Sequence, residues 1–493
     1  MDSRVLTRSS QRDQMLLPVV SLCLLVATTA FLMVFTLLGQ IGTSLHASRS
    51  ALNWITIVTV IVGTISTGLF PALGSVLGQR RLMVISMGCL AVGSAISAAA
   101  PGVAILIAGR AIASAGLAAA VLSVAIVRER RSGHLLVRAL AVIAAVQGVA
   151  AGTGFVLSGV VEDVVRADWR AVFWAMAALA ALTAVLAAVF VPGGNRRTVR
   201  RIDVAGAVML AGGLVAAVLP VTEGGTWGWT SGWVIGLFAA AVILLTAWAR
   251  GALRSAEPVV DLRVLARPGV SAGAAVFLIT AGTVGVINST IPSFLQAPAA
   301  AGYGADASVL GSGLAMLPFA AVITLAAYLT GRLVRRVSPR GCAIASLGCE
   351  ALALGLLADF HHAPGQVVAL VALFGAGHGG ALVAEYIMIT RPVRPDEAGT
   401  AVSVGGAFSG IGGAVVVAAI TPLLVSRLIA VGPVLLPSAA GYGRAWLLGA
   451  AVAVAGIVVL LLLPTAESRA DVLPAVEASI GILPAAEAGT GDD

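Results

Sequence analysis

Apolar runs of about twenty residues recur along this chain with only short polar breaks, and no other feature restricts its fold so severely. They lie near 15–38, 52–71, 82–100, 103–125, 136–159, 170–191, 204–222 and 232–249. After a polar stretch from Arg250 to Pro268 they resume near 269–292, 308–329, 341–358, 365–389, 400–424 and 444–464. As a helix, each is long enough to cross a hydrocarbon layer of about 30 Å at about 1.5 Å per residue. With 59% hydrophobic and 11% charged residues and a mean hydropathy of +1.03, the chain lacks the polar surface to coat a water-soluble particle. Barrel strands would alternate polar and apolar residues, and these runs do not. The 58 glycines interleaved with Ala, Val and Leu suit close helix-to-helix packing in a bilayer. The expected fold class is an all-α polytopic membrane protein of fourteen transmembrane helices, with the lipid bilayer as its first partner.

A formal charge of +8 raises the question of nucleic acid, and the placement of the positive residues answers it. All 30 are arginine. With the N-terminus in the cytoplasm, 24 arginines fall on that side and five, Arg49, Arg166, Arg170, Arg427 and Arg444, on the other, while Arg110 lies inside a run. Such asymmetry predicts a plasma-membrane protein with both termini cytoplasmic, and no nucleic-acid partner. The absence of lysine looks like a coding bias toward GC-rich codons, which hints at a bacterium and says nothing of function. The four cysteines, Cys23, Cys89, Cys342 and Cys349, sit in or beside apolar runs without metal-ligand spacing, so they read as small buried residues. The first run exceeds a signal-peptide core and has no small-residue cleavage site after it, so it is expected to stay as the first helix.

Self-similarity suggests the domain plan. The segment after the second run reads Gly74-Ser75-Val-Leu-Gly78-Gln-Arg80-Arg81, and the one after the tenth reads Gly331-Arg332-Leu-Val-Arg335-Arg336. The two lie eight helices apart, as expected for two six-helix bundles related by a pseudo-two-fold axis with two helices inserted between them. The expected divisions are a cytoplasmic N-terminus (1–14), a first bundle (15–191), two linker helices (192–268), a second bundle (269–464) and a flexible cytoplasmic tail (465–493).

These residues resemble the fourteen-helix drug:proton antiporter branch of the major facilitator superfamily, the QacA/EmrB type, across nearly the whole chain. Ser48 with Leu52, Asn53 and Trp54 is similar to that branch's start of helix two, and Asp168-Trp169-Arg170 with Phe173 to its start of helix six. Gly224-Gly-Thr-Trp227-Gly228-Trp229, followed by Glu257-Pro258-Val-Val-Asp261-Leu262-Arg263, resembles its signature between helices seven and nine. Tyr303-Gly304 with Gly311, Gly313, Leu317 and Pro318 resembles its tenth helix, and Pro395-Asp-Glu-Ala-Gly399 its turn before helix thirteen. Each motif alone reads as an ordinary turn; their order and spacing together carry the resemblance.

The departures bear on mechanism. Ser75 stands where the resemblance implies an Asp that locks the bundles together, within a gating loop of Gly74, Ser75, Gly78, Arg80 and Arg81. Ala30 stands where the family's first helix usually carries an Asp. The fifth run keeps Gly148, Gly152, Gly154 and Gly159, but Phe155 replaces a proline.

An ionisable group in mid-helix is costly in hydrocarbon and is therefore a functional hypothesis. By resemblance Arg110 couples protonation to conformational change; the alternative is that it bonds to carbonyls or to Thr28 or Thr29. Glu350, in the middle of the eleventh run, can carry a proton in place of the missing helix-one acid, or can be a structural acid. Glu385 in the twelfth run is either a second carrier or solvated near Arg391 and Arg394. His378, within Gly375-Ala-Gly-His378-Gly-Gly, is a proton relay or a neutral packed ring. Gln40, Gln147 and Asn288 can bond a substrate passing between the bundles, or can serve as interhelical glue. Trp227 and Trp229 beside Glu223 read as interface anchors.

A Walker-type ATP site needs a lysine, and the chain has none, so ATP-driven transport is excluded. His361-His362 lacks a third metal ligand within reach, and no metal or other cofactor is expected. The expected function is non-enzymatic: export of a lipophilic or amphipathic small molecule, such as a drug, antiseptic or natural product, by proton antiport and alternating access. The scarcity of acids in the runs favours neutral, anionic or lipid-like cargo. Two rivals are an uncoupled or lipid-type transporter of the same fold and a transport-inactive membrane sensor or assembly partner.

Overall fold

A computed structural model of the chain describes residues 3–131, 133–161, 168–193, 203–255, 262–267, 269–334, 336–393, 398–432 and 434–463. The helices are α1 (Ser3–Ser44), α2 (Arg49–Leu77), α3 (Gln79–Ala98), α4 (Val103–Ser114), α5 (Ala118–Arg130), α6 (Gly133–Gly159), α7 (Trp169–Phe190), α8 (Val204–Trp227) and α9 (Gly232–Arg254). After the one-turn α10 (Leu262–Leu265) come α11 (Val270–Gln296), α12 (Val309–Ala315), α13 (Leu317–Leu333), α14 (Pro339–Asp359), α15 (Pro364–Thr390), α16 (Ala398–Val425) and α17 (Ala439–Leu462). The 3₁₀ turn Ala115–Leu117 joins α4 to α5 in one span, Val103–Val127, and α12 and α13 likewise form one span, Val309–Leu333. Every apolar run therefore lies on helix. Among the described residues eleven helices are long and apolar enough to cross a membrane, and shorter apolar stretches occupy Trp54–Thr67 of α2 and Val208–Val221 of α8.

The polar breaks start these helices in a consistent way. Ser48, Ser231, Ser308, Ser338 and Ser438 each cap the helix that follows, accepting a hydrogen bond from a backbone N–H in its first turn. Pro339 and Pro364 occupy the first turns of α14 and α15, where the missing N–H costs nothing.

Helices outrun the hydropathy edges. The backbone must stay hydrogen-bonded until water is available, so α1 continues to Ser44 and α8 to Trp227. Glu223 consequently lies within α8 and is buried. Trp227 and Trp229 remain exposed. A β-hairpin between α16 and α17, Leu428–Val431 antiparallel to Val434–Pro437, had no counterpart in the run analysis. Its strands of four residues are too short to show a period.

One packing scheme occurs twice. In the first bundle α1 packs on α6 and α7, α3 on α4 and α7, and α2 on α4 and α5. In the second, α11 packs on α16 and α17, α14 on α15 and α17, and α13 on α15. Across the interface α2 meets α16, α6 meets α12 and α13, and α1 meets α11, again in two-fold fashion. The pair α8 and α9 packs on itself, with α8 touching α2 and α16. Small residues set these approaches. A Cβ on Gly313 would come 2.3 Å from the Phe155 carbonyl oxygen, and one on Gly159 would come 2.2 Å from the Leu310 Cα. The proposed tail, 465–493, lies outside the described residues.

Candidate functional site

The second bundle encloses a cluster of ionisable side chains, and the glycine-rich stretch of α15 explains how. A Cβ on Gly377 would lie 2.5 Å from the Ser346 carbonyl and 3.0 Å from Glu350 Cγ; one on Gly379 would lie 2.2 Å from the Ile323 carbonyl. Glycine thus lets α15 run backbone-close to α14 on one side and α13 on the other. His378 projects from between these two contacts.

Glu350 is completely buried and Glu385 is 2% exposed. His378 Nδ1 lies 3.2 Å from Glu350 Oε1, and the ring stacks on Phe374 with centroids 5.8 Å apart. Glu350 Oε2 accepts from the Thr283 hydroxyl at 2.6 Å, and Glu385 Oε2 accepts from the Thr280 hydroxyl at 2.8 Å. Thr280 and Thr283 are one turn apart on α11, so a single helix holds carboxyls from two neighbours. The pair His378–Glu350 is a buried acid–base contact. Glu385 has no cationic partner among the described residues. This corrects the reading of Glu385 as solvated near Arg391, because the side chain turns inward onto α11 while Arg391 is exposed.

The first bundle has a different occupant. Arg110 is 1% exposed, its guanidinium carbon sits 5.8 Å from the centroid of the Phe173 ring, and its Nε and Nη1 have no hydrogen-bond partner among the described residues. Thr29, expected as a partner, donates instead to the Ala150 carbonyl at 3.4 Å. Ala30 is buried and brings no charge. Phe155, at the position where a proline was expected, is completely buried against α12.

The other residues singled out by sequence are dispersed. The expected gating loop is almost entirely helix: Gly74 and Ser75 lie in the last turn of α2, Arg80 and Arg81 in the first turn of α3, and Gly78 alone breaks the two, with φ +95°, a conformation natural to glycine, and its N–H bonded to the Gly74 carbonyl at 2.9 Å. Arg80 donates to the Ala188 carbonyl of α7, Arg81 is exposed, and the Ser75 side chain is outside the described residues. Of the substrate candidates, Asn288 Oδ1 and Gln40 Oε1 are buried without a partner among the described residues, and Gln147 is exposed in the middle of α6. An apolar groove between α1 and α6 is lined by Pro18, Ser21, Leu22, Leu25, Val146 and Val149, away from the cluster. His361 belongs to a separate aromatic group with Phe294 and Trp446.

Sequence reasoning missed Thr280, Thr283 and Gln296. Gln296, at the end of α11, donates to the Ser312 hydroxyl at 2.8 Å and to the Thr36 carbonyl of α1 at 3.4 Å. Threonines are frequent in these runs, and only the spacing of two on one face, opposite two acids, marks this pair.

The repeated packing scheme has a counterpart in sequence comparison: the family model described as Major Facilitator Superfamily matches twice, over residues 20–296 and 273–486. The chain belongs to the Major Facilitator Superfamily. As a major facilitator it is a transporter and not an enzyme. The multidrug resistance protein Stp of Mycobacterium tuberculosis (strain CDC 1551 / Oshkosh) is 28% identical over 412 residues, 81% of this chain and 73% of that relative. The tetracenomycin C resistance and export protein of Streptomyces glaucescens is 24% identical, covering 78% of this chain and 70% of its own length. A probable actinorhodin transporter of Streptomyces coelicolor is 24% identical over 77% of this chain and 67% of that relative. Among solved structures, the human organic anion transporter MFSD10 superposes with a TM-score of 0.59 at 16% identity, over 91% of this major facilitator and 99% of that chain. The xylose transporter XylE from E. coli, in a partially occluded inward-open conformation, gives 0.60 at 12% identity over 92% and 99%. These likenesses show the fold.

Proposed function

We propose that this major facilitator exports lipophilic or amphipathic small molecules in exchange for protons, by alternating access between its two bundles. One observation carries the reading: two carboxyls, Glu350 and Glu385, are buried in apolar helices, and among the described residues Glu385 has a hydroxyl for a partner and no cation. A fixed charge there is expensive, and a group that gains and loses a proton with each cycle accounts for an acid in such a place. Glu385 is the main carrier in this reading, and the Glu350–His378 pair is its neighbour and relay. Relatives named for multidrug resistance and antibiotic export support the direction and the cargo class. The chain makes fourteen crossings of the plasma membrane with both termini in the cytoplasm, as the arginine asymmetry implies. It follows the divisions 1–14, 15–191, 192–268, 269–464 and 465–493.

Arg110 favours a second reading. With Ala30, Ser75 and Phe155 at the departing positions and two guanidinium nitrogens unpartnered, Arg110 has no proton-binding partner among the described residues, as in an uncoupled transporter of the same fold. Purified protein in liposomes, given a pH gradient and a panel of lipophilic dyes, separates the two. Antiport requires gradient-dependent flux that Glu385→Gln abolishes. Flux that ignores the gradient and survives both Glu385→Gln and Glu350→Gln establishes the uncoupled carrier, and Arg110→Ala then reports on the first bundle alone.

A further inference from the structure

α11 touches both the carboxyl cluster and the opposite bundle. Near its middle Thr280 and Thr283 donate to Glu385 and Glu350. At its end Gln296 reaches the Thr36 carbonyl of α1, with Gly39 of α1 close beside it. No ionisable side chain lies on α11 itself.

We propose that Thr280 and Thr283 are positioning residues that convert the protonation state of Glu385 and Glu350 into a movement of α11 against α1, and so link proton binding to opening of the bundle interface. The inference rests on the proton-antiport reading above.

Each hydroxyl has, besides its carboxyl, acceptors in its own helix, two for Thr280 and one for Thr283. Thr280 Oγ1 lies 2.9 Å from the Val276 carbonyl, and Thr283 Oγ1 lies 3.1 Å from the Thr280 carbonyl. While a carboxyl is ionised it is the stronger acceptor, since a hydrogen bond to a charged oxygen is about twice as strong as one between neutral groups. That bond draws α11 onto α14 and α15. When the carboxyl takes a proton it becomes a donor: the hydroxyl turns its own hydrogen to the backbone of α11, and its oxygen accepts from the carboxyl O–H. A charge-assisted tie between α11 and its neighbours is thereby exchanged for a neutral one of about half the strength. What remains around α11 is mostly apolar: Gly282 and Gly285 pack against Val416 and Val417 of α16, and Val286 lies against Gly449 of α17. Trp446, which donates to Thr290 at 2.9 Å, is a pivot farther toward the Gln296 end.

The groups able to set the titration are few. α15 contributes His378, Glu385 and Tyr386, whose ring packs on Phe277 of α11; α13 contributes Tyr328 and Arg332, both exposed; and α14 contributes Glu350 with Cys349 beside it, whose thiol donates to the Leu373 carbonyl. α16 has no ionisable side chain between Ala398 and Val425. On α17 the Tyr442 ring packs on Phe294, toward the Gln296 end, and Arg444 is two residues on. α1 brings only Cys23 along its buried length, bonded to the Thr183 carbonyl of α7.

The test is a distance measurement on the full-length protein in nanodiscs. Spin labels are placed at the exposed positions Thr43 and Ala300, one on each bundle, with the four native cysteines replaced. Between mildly alkaline and mildly acidic buffer the distance distribution is expected to shift. Thr280→Val and Thr283→Val, nearly isosteric and without a donor, should lose most of that shift, and Thr280→Ser and Thr283→Ser should restore it. Valine variants that shift like the wild type overturn the proposal, as does a serine variant that behaves like its valine counterpart. Dye flux in liposomes, measured on the same proteins, keeps the two ideas apart. Gradient-driven flux in the wild type that persists in both valine variants rejects the role of the threonines and leaves antiport standing. A wild type whose distance and flux both ignore pH rejects both.

Discussion

His378 Nδ1 and Glu350 Oε1 are 3.2 Å apart, on helices brought within backbone contact by Gly377, and neither side chain has appreciable access to water. A His378→Ala change leaves a carboxyl oxygen without that partner, which costs about 1–3 kcal/mol in a buried site. The midpoint of thermal unfolding in detergent should fall accordingly, and His378→Gln, which keeps a donor, should recover most of the loss. An alanine variant as stable as the wild type would show that the contact does not contribute to the folded state.

Backbone proximity at α15 makes a second expectation. Gly379→Ala puts a Cβ 2.2 Å from the Ile323 carbonyl, a rigid neighbour, and overpacking of this kind costs about 1–3 kcal/mol. Gly355→Ala meets no atom within 4 Å and should be neutral or stabilising by about 0.5–1 kcal/mol, since glycine is a poor helix former. Paired unfolding curves check the contrast, and it fails if the two variants are alike.

Stability and transport should part company at Arg110. An unpaired buried cation is costly to keep, so Arg110→Met is expected to raise stability by on the order of 1–3 kcal/mol. If the guanidinium serves the transport cycle, the same substitution lowers flux in liposomes. A methionine variant both less stable and fully active contradicts the environment described for Arg110.

The hydroxyl of Tyr303 donates to the Pro437 carbonyl and ties the hairpin to the start of α12. Tyr303→Phe removes a bond worth about 1 kcal/mol, so amide exchange in Leu428–Pro437 should rise about fivefold while the helices stay unchanged. Mass-spectrometric exchange resolves the segment directly.

Much of the fold was legible because a bilayer restricts the backbone so strongly. Every apolar run lies on helix, since inside lipid each amide must find its partner within its own segment. Helix ends were less legible, because Glu223 and Trp227 are polar or amphipathic and α8 carries on through them until its amides reach water. The hairpin Leu428–Pro437 was invisible for a different reason: its strands are too short for a period and are held by a tyrosine more than a hundred residues upstream.

The site divides the same way. Sequence alone determined that Glu350, Glu385, His378 and Arg110 lie within apolar helices, because a charged residue in a long apolar run has no other place to go. Only the tertiary structure decided their partners. Glu385 could have faced Arg391 and water, but α15 is turned so that it meets Thr280 instead, and that turn is set by four glycines pressed against α13 and α14. Arg110 could have bonded Thr29, but Thr29 is taken by α6. Hydropathy is a property of one segment at a time, whereas a hydrogen bond between helices depends on the rotation and register of both, and those emerge only when small residues of the whole bundle pack together.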